Sequence, residues 1–392
     1  MTLEIRPLGV KCNIQCHYCY QDPLREVAGN HQKYDLQKIK AAIIKNDQNF
    51  LLFGGEPLLI PKQDLEDLFK FGCERYGSNA IQTNGSLIDD EHIELFKRYK
   101  VAIGISLDGP GVLNKLRWAG SETLTDVATE KSCLAIERLI FAGLVPGLIV
   151  TLHRSNASPA ALPRLLDWFG SLDKMGLKSA RLHLLEVDSK HVRDLYALSP
   201  RENAQALEKI RIFEKGLKRL RFDLFSEVRA LLRGADRGAS CTWRSCDPYT
   251  TESVHGIEGM GQTSNCGRTN KAGVDFVKAS ESGFERYVAL YQTPFEAGGC
   301  QGCRYFIFCR GQCPGEAIDG DWRNRSENCE AWYSLFRTIE AEMLVAGEIP
   351  VSTRDDRVDL ERRLIELLSE GGNCSVARLV EERQLRPQNE QR

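Results

Sequence analysis

Residues 12–19 read CNIQCHYC, which places three thiols, those of Cys12, Cys16 and Cys19, within eight residues. The alternating run at 3–8 predicts a first β-strand, so the cysteines lie in a loop at its carboxyl end, where α/β sheets and barrels carry their sites. Zinc needs a fourth protein ligand nearby, whereas three cysteines leave one position of a four-iron cluster open. The loop alone leaves a structural zinc site as the alternative. We expect His17 to serve loop packing or hydrogen bonding.

The composition is that of a soluble globular protein with room for two domains. Of 392 residues, 42% are apolar and 27% charged, and 52 basic against 54 acidic residues give a net charge of −2. This balance excludes a broad electrostatic surface for nucleic acid or an anionic membrane. No apolar run reaches the roughly 18 residues that span a bilayer, and no export signal is visible, so we expect a cytoplasmic protein. Fourteen cysteines in such a chain indicate metal or redox chemistry.

Strand-like and helical patterns alternate over residues 1–225, which predicts a parallel α/β sheet. The candidate strands lie at 3–8, 50–53, 80–83, 101–106, 147–152 and 180–185. Apolar residues at helical spacing fill the segments between them. Six such units, with a metal loop after the first, predict a partial (β/α)6 TIM-like barrel that is open on one side. We place a linker at 226–240, a cysteine-rich domain at 241–346 and a charged helical tail at 347–392.

Glycine and polar residues follow several of the predicted strands. The second strand runs into Gly-Gly-Glu-Pro at 54–57. Two glycines let a backbone approach a ligand closely, and the carboxylate beside them could bind an ammonium group. Asn84 follows the third strand, Ser106 ends the fourth, and Arg117 lies just beyond. Each is by itself a turn signal, but successive strand ends point these groups at one face of the sheet.

The cysteine loop resembles the cluster-binding motif of the radical S-adenosylmethionine (radical SAM) superfamily, with three and then two intervening residues and a tyrosine before the last cysteine. The resemblance implies a [4Fe-4S] cluster on Cys12, Cys16 and Cys19, whose open iron binds S-adenosylmethionine (AdoMet). The implied contacts with its amino group, ribose, carboxylate and adenine are made by Tyr18, Gly54, Gly55, Glu56, Asn84, Ser106, Arg117 and Leu185. The spacing to Arg117 is one residue shorter than in the family. Leu185 equally suits an ordinary barrel core.

The C-terminal cysteines form a second pattern, made of Cys241, Cys246, Cys266, Cys300, Cys303, Cys309, Cys313 and Cys329. Eight thiolates make two complete sites for iron–sulfur clusters or zinc, and two structural zinc ions are the alternative. The spacing resembles the SPASM extension of radical SAM enzymes. By that family's interleaved arrangement, the first auxiliary cluster is held by Cys241, Cys246, Cys266 and Cys313, and the second by Cys300, Cys303, Cys309 and Cys329. Cys241 lies outside the core of the family's pattern.

The resemblance implies that AdoMet is cleaved reductively to methionine and a 5′-deoxyadenosyl radical, which takes a hydrogen atom from the substrate. The protein's part is to position the reactive carbon and to exclude water. Auxiliary clusters would carry the substrate electron away, so we expect oxidation or ring closure. SPASM enzymes as a family act mostly on ribosomally made peptides or on proteins. We therefore predict an oxidoreductase that crosslinks or cyclises peptide side chains, and we assign no catalytic residue.

Several alternatives stay open. Anaerobic sulfatase-maturing enzymes resemble this chain in layout and oxidise Cys or Ser to formylglycine. That branch places an Asp as base directly after the third auxiliary cysteine, where this chain has Gly267. Small-molecule dehydrogenation by the same radical chemistry is a further possibility. A multi-cluster electron carrier or zinc scaffold would explain the cysteines but not the Gly-Gly-Glu stretch or the barrel pattern.

The expected partners follow from this chemistry. We expect a peptide or protein substrate and an external electron donor such as a flavodoxin or ferredoxin, and neither nucleic acid nor a membrane. The chain begins on its first predicted strand. Recognition of a leader peptide, if it is needed, is therefore expected from a separate protein, the C-terminal tail or the barrel.

Overall fold

The computed structural model describes residues 2–21, 33–187, 189–244, 246–247, 249–251, 254–268 and 283–385. They belong to two compact units. The first unit comprises Met1–Asp223 and Val254–Val277, and the second comprises Leu224–Ser253 and Lys278–Arg392. The predicted tail at 347–392 is described up to residue 385, and residues 386–392 lie outside the described residues.

A mainly parallel β-sheet forms the centre of the first unit. Its strands in the described residues are β1 (Thr2–Arg6), β2 (Phe50–Leu52), β3 (Asn79–Thr83), β4 (Val101–Ser106), β5 (Gly147–Leu152), β6 (Ser179–Leu184), β7 (Arg221–Phe222), β8 (Val254–Glu258) and β9 (Thr263–Ser264). Their order across the sheet is β7-β6-β5-β4-β3-β2-β1-β8-β9, and only β9 runs antiparallel to its neighbour. Within these residues the sheet does not close, because β7 and β9 form its two edges. The prediction of an unclosed parallel α/β barrel is confirmed.

Helices follow the strands of the first unit, as their apolar spacing predicts. They are α1 (Leu36–Asn46), α2 (Lys62–Tyr76), α3 (Asp90–Arg98), α4 (Glu122–Phe141), α5 (Arg154–Ala157), α6 (Leu162–Met175), α7 (Lys190–Leu195) and α8 (Pro200–Glu214). Side-chain caps fix several of their starts. Asp35, for example, accepts the backbone N–H groups of Gln37 and Lys38 at the start of α1, which satisfies donors that have no partner within the helix.

The strands are apolar on one face and mixed on the other. In β5, Leu148, Val150 and Leu152 are at most 2% exposed, whereas Ile149 and Thr151 are partly exposed. Strands β3, β4 and β6 repeat this alternation. Because successive side chains of a strand point to opposite faces, the fully buried set packs beneath the helices and the other set lines the inner face of the curved sheet.

The structure adds three strands to the six that the sequence predicts. Strands β7 and β9 have two residues each, too few for an alternating pattern. Strand β8 reads VHGIE and lies among the C-terminal cysteines. It pairs along the whole of β1 and covers an edge that would otherwise expose unpaired N–H and C=O groups. Residues 254–264 thus join the barrel sheet although they fall within the predicted 241–346 domain, whose boundaries stay a prediction.

The second unit is built from helices and loops. Its helices are α9 (Asp223–Leu232, which begins on the last residue of the first unit), α10 (Glu285–Gln292), α11 (Phe306–Cys309), α12 (Cys329–Val345), α13 (Arg357–Ser369) and α14 (Val376–Leu385). Helix α9 extends into the predicted linker at 226–240. The α12 side chain of Phe336 packs against Trp243 and Tyr305, with ring centroids 5.5 and 5.4 Å away. Every helix in the described part of the chain is too short or too polar to span a bilayer.

Candidate metal and cofactor site

The Gly54-Gly55 pair lies directly against the cysteine loop. A Cβ atom at Gly55 would stand 2.0 Å from the Lys11 carbonyl oxygen, and one at Gly54, whose φ is +121°, 2.4 Å from that of Gly9. The Gly55 amide donates to the same Gly9 oxygen at 2.9 Å. The sequence predicts that these glycines allow the close approach of a ligand. In the structure, the backbone of the cysteine loop approaches them.

Changing Gly55 to Ala is therefore expected to displace the cysteine loop. The clash is with a backbone carbonyl, which cannot rotate away as a side chain would, so we expect at least about a tenfold loss of AdoMet cleavage. Iron per chain and the rate of 5′-deoxyadenosine formation would measure this. Gly238→Ala is the matched control, since a Cβ there meets nothing within 4 Å. Equal activity of the two variants would contradict the packing argument.

The other side of the loop is held by the segment after β4. The backbone N–H of Gln15 donates to the Trp118 carbonyl at 2.6 Å. His17 stacks on the rings of Trp118 and Tyr196, with centroids 5.4 and 5.7 Å away, which agrees with the packing role predicted for it. The loop is thus fixed between two strand-end segments.

The three thiols of the loop lie close enough to influence one another. Cys16 is buried, and burial raises the pKa of its thiol to about 12, with Arg117 opposing this shift and the neighbouring thiols of Cys19 and Cys12 adding to it. All fourteen cysteines are among the described residues, and none forms a disulfide. This set of three reduced thiols on one loop fits the ligands of a [4Fe-4S] cluster with one open position.

No three His, Cys, Asp or Glu side chains in the described part of the chain converge on one point that could hold a single metal ion. The cysteines of a [4Fe-4S] cluster each bind a different iron atom, so their thiols need not converge in this way. The assignment of the individual cluster ligands stays a prediction.

Glu56 joins the ends of β2 and β3. Its side chain is 1% exposed, and its two oxygens accept hydrogen bonds from the backbone N–H groups of Leu58 and Asn84 and from the Thr83 hydroxyl, at 2.7–3.0 Å. Burial raises the pKa of this carboxyl, and the three donors oppose that shift. Asn84 continues the connection to the cysteine loop through Asn13, at 2.8 Å. Glu56 therefore braces the site, and its contact with an amino group stays a prediction.

Two further predicted contact residues are held by their neighbours. The Ser106 hydroxyl accepts a hydrogen bond from the Gln82 side-chain amide at 2.7 Å. Leu185 is 3% exposed and belongs to a small apolar cluster with Val192, against which Tyr18 also packs. A Cβ at Gly104 would stand 2.1 Å from the Gln82 amide oxygen, so the glycine in β4 makes the space for Gln82 to reach Ser106.

A buried polar network anchors Tyr18, the residue before the third cysteine of the loop. Its hydroxyl donates to the Asp108 carboxylate and accepts from the Arg117 guanidinium at 2.9 Å. His153 lies on the same carboxylate oxygen at 3.3 Å, and Asp108 and His153 are fully buried. We call Tyr18, Asp108, Arg117 and His153 the Tyr18 network. The sequence analysis assigned nothing to Asp108 or His153, although both follow strand ends, the one signal that could have marked them.

The four thiols predicted for the second auxiliary site lie together in the second unit. Burial raises the pKa of Cys309 well above its ordinary value, and the nearby thiols of Cys329, Cys300 and Cys303 add to the shift. Burial likewise raises the pKa of Cys300 to about 12, with Cys329 and Cys303 adding to it. The structure thus groups these four cysteines, and their role as ligands stays a prediction.

The cysteines predicted for the first auxiliary site fall in both units. Cys241, Cys246 and Cys313 belong to the second unit, whereas Cys266 follows β9 in the first. Arg286 organises the segments that carry Cys246 and Cys313. It is 2% exposed, and burial lowers the pKa of its guanidinium, while the thiols of Cys246, Cys313 and Cys300 oppose that shift. The fourth ligand, Cys266, stays a prediction.

Arg286 is a residue that the sequence analysis missed. Its guanidinium donates to the carbonyl oxygens of Trp322, Asn324, Gln312 and Cys246, at 2.5, 2.8, 3.2 and 3.4 Å. One buried cation thereby holds three loops in place. No local pattern marks it, because its partners are backbone atoms 26 to 40 residues away in the chain.

The segment between Cys309 and Cys313 runs through left-handed backbone conformation. The φ angles of Arg310, Gly311 and Gln312 are +55°, +73° and +62°, a conformation that costs energy in non-glycine residues. The buried ion pair of Arg310 with Asp236, at 2.6 Å, helps to hold it. This turn separates Cys309, which lies among the second set of thiols, from Cys313, which lies near Arg286.

Comparison with known proteins identifies a family for part of the chain. Residues 7–127 match the family model of the Radical SAM superfamily. This stretch of the chain is therefore a Radical SAM domain by its match. The matched residues include the cysteine loop, the Gly-Gly-Glu stretch, Asn84, Ser106 and Arg117. Radical SAM enzymes use a [4Fe-4S] cluster and AdoMet, and the thiols of the cysteine loop fit these cofactors.

Several curated proteins similar to this chain are sulfatase-maturating enzymes. The serine-type anaerobic sulfatase-maturating enzyme of Bacteroides thetaiotaomicron is 34% identical over 123 residues, which span 28% of this chain and 30% of the relative. The cysteine-type enzyme of Clostridium perfringens is 28% identical over 130 residues, spanning 30% of this chain and 35% of its own length. The serine-type enzyme of Klebsiella aerogenes is 25% identical over 370 residues, spanning 86% of this chain and 85% of the relative.

Solved structures share the fold of this chain. Native anSMEcpe with bound AdoMet is 18% identical, with a TM-score of 0.68, over 88% of this chain and 98% of that one. Streptococcus suis SuiB bound to the precursor peptide SuiA is 14% identical, with a TM-score of 0.50, over 71% of this chain and 61% of that one. Both likenesses support the unclosed α/β barrel.

Proposed function

We propose that the chain is a radical AdoMet oxidoreductase that oxidatively modifies side chains of a peptide or protein, with crosslinking or cyclisation of a ribosomally made peptide as the first candidate. The observation that carries the proposal is the cysteine loop, which two strand-end segments hold at the mouth of an unclosed barrel. A cluster bound there, together with AdoMet, would supply a 5′-deoxyadenosyl radical to a substrate inside the barrel.

We assign these cofactors to residues of the cysteine loop and of the neighbouring strand ends. Cys12, Cys16 and Cys19 would bind the cluster. The AdoMet contacts would be made by Tyr18, Gly54, Gly55, Glu56, Asn84, Ser106, Arg117 and Leu185. In this assignment Glu56 and Asn84 brace the loop from the strand ends, and Arg117 offers a cation to the AdoMet carboxylate.

The second unit would hold two more [4Fe-4S] clusters, making three in all. Its thiols are grouped as the interleaved assignment requires for Cys300, Cys303, Cys309 and Cys329. The first auxiliary set would be Cys241, Cys246, Cys266 and Cys313. The chemistry that such clusters supply is electron transfer, which suits a substrate that loses a hydrogen atom, an electron and a proton. The electron that starts the reaction would come from an external donor such as a flavodoxin or ferredoxin.

The inner face of the barrel suits a substrate larger than a metabolite. Three inward-facing residues of β3 and β4 are small, namely Ala80, Ala102 and Gly104, and they leave room in this part of the sheet that bulky side chains would fill. The inward-facing Ile149, Arg181 and His183 of β5 and β6 are larger. SuiB is known bound to its precursor peptide SuiA, and anSMEcpe is known bound to AdoMet and a peptide named Kp18Cys. We propose a peptide or protein partner for this chain, with leader recognition, if needed, by a separate protein or by this chain itself.

Formylglycine formation in a sulfatase-type protein is the second candidate, and the relatives favour it. The Klebsiella aerogenes match extends over most of both chains. Gly267 argues against formylglycine formation, because it occupies the position at which the sulfatase-maturing branch has an Asp. A Cβ there would lie 3.0 Å from the Tyr20 ring and 3.2 Å from the Gln21 amide nitrogen, so a larger side chain would require these neighbours to shift slightly. The missing carboxylate at Gly267 is the reason for placing peptide crosslinking first.

One anaerobic experiment separates the two candidates. The reconstituted full chain would be incubated with AdoMet, a reductant and either the peptides encoded beside its gene or a sulfatase-type peptide with a target Cys or Ser. Loss of two hydrogens per bond, with linked fragments in tandem mass spectra, is expected for the first class. An aldehyde on the sulfatase-type peptide, trapped by a hydrazide, would instead establish formylglycine formation. Failure to cleave AdoMet at all would overturn the proposed enzyme class.

A further inference from the structure

We propose that Asp108 sets the reduction potential of the cluster held by the cysteine loop, by balancing the positive charge of Arg117 beside it. The inference rests on the proposed cluster at Cys12, Cys16 and Cys19. It assigns to Asp108 a positioning and electrostatic role, without contact to the substrate.

The geometry places one anion and one cation on either side of the Tyr18 hydroxyl. Tyr18 donates to Asp108 and accepts from Arg117 at 2.9 Å, and the guanidinium lies 3.8 Å from the other Asp108 oxygen. The backbone N–H of Thr151 holds that oxygen at 3.0 Å. The Nε2 atom of His153 lies 3.3 Å from the Asp108 oxygen that accepts the hydrogen bond from Tyr18. Asp108 therefore cannot turn away without losing contacts to three elements of the barrel.

Both charges lie beside the cysteine loop. Asp108 and Arg117 each contact the hydroxyl of Tyr18, the residue directly before Cys19. The Asp108 side chain is 0% exposed and that of Arg117 is 12% exposed, and charges in such surroundings are screened far less than surface charges. The potentials of iron–sulfur clusters depend on nearby charge, hydrogen bonds and solvent exposure.

The expected directions are opposite for the two residues. Reduction adds one negative charge to the cluster. Removing the Asp108 anion leaves Arg117 uncompensated, which stabilises the reduced form and shifts the potential to more positive values. Such a cluster would reduce AdoMet less readily. Removing the Arg117 cation leaves Asp108 uncompensated and shifts the potential to more negative values.

The test compares Asp108→Asn and Arg117→Gln in the full chain by EPR-monitored redox titration without AdoMet. The relevant signal is the one that Cys16→Ala removes from each variant, which separates it from any other cluster. Asp167→Asn is the matched control, since Asp167 is an exposed carboxylate on α6. We expect an upward shift for Asp108→Asn, a downward shift for Arg117→Gln and no shift for the control.

Each outcome decides the matter. A purely structural role would lower the iron content or shift both potentials in the same direction. Potentials that shift in the same direction overturn the inference, and so do shifts no larger than that of the control. If Asp108→Asn takes up no cluster, the Arg117→Gln potential alone decides, with a downward shift as support and any other result as refutation. Absence of a signal sensitive to Cys16 in the unmodified chain would instead refute the proposed cluster.

Discussion

Changing Cys16 to Ala is expected to abolish reductive cleavage of AdoMet and to lower the iron content from roughly twelve to roughly eight atoms per chain. Cys16 is the buried member of the three thiols, and its backbone carbonyl accepts the Cys19 amide at 3.0 Å. Two thiols alone cannot retain a four-iron cluster that already has one open position. Iron and sulfide analysis, together with quantification of 5′-deoxyadenosine under anaerobic conditions, would measure both effects.

The matched control is Cys73→Ala. Cys73 lies on α2, outside both cysteine patterns, and is partly buried. Its loss should leave iron content and AdoMet cleavage unchanged. Retention of activity by Cys16→Ala would refute the assignment of the loop, and an equal loss in Cys73→Ala would show that general thiol loss, not cluster ligation, is responsible.

Changing Arg286 to Met is expected to destabilise the second unit by about 3–5 kcal/mol and to remove iron from it. Met keeps most of the side-chain volume, but the buried carbonyl groups that accept hydrogen bonds from Arg286 lose their donor. An unsatisfied buried polar group costs roughly 1–3 kcal/mol, and the loops can regain only part of this by admitting water. Thermal unfolding of the anaerobic full chain and iron content would be measured together.

Two further variants sharpen this test. Arg286→Lys keeps the positive charge but not the planar fork of donors, so we expect it to lose nearly as much stability as Arg286→Met. Arg337→Met on α12 changes an exposed arginine and should be close to neutral. A stable, fully iron-loaded Arg286→Met protein would show that the cysteine loops hold themselves in place.

Much of the first unit was open to prediction because its signals are local. The alternation in β4 and β5 and the apolar spacing of α2 and α4 lie within single elements. Strand ends in a parallel barrel all reach the same rim, so Asn84, Ser106 and Arg117 could be assigned to one face without coordinates. Strand β8 escaped prediction because its pairing with β1 joins residues about 250 positions apart. Strand β9, which pairs with β8, has two residues and therefore no periodicity.

The sequence by itself determined the cysteine spacings, the order of the barrel elements and the radical SAM motif of the first unit, since each depends on neighbours in the chain. Only the tertiary structure decided what Gly55, Asp108 and Arg286 do. Gly55 makes room for the backbone of the cysteine loop, and Asp108 accepts a hydrogen bond from Tyr18 and faces Arg117. Arg286 donates hydrogen bonds to carbonyl groups of three loops. Their partners are set by folding rather than by spacing, because contact, burial and the low dielectric around a charge exist only once distant segments have been packed together.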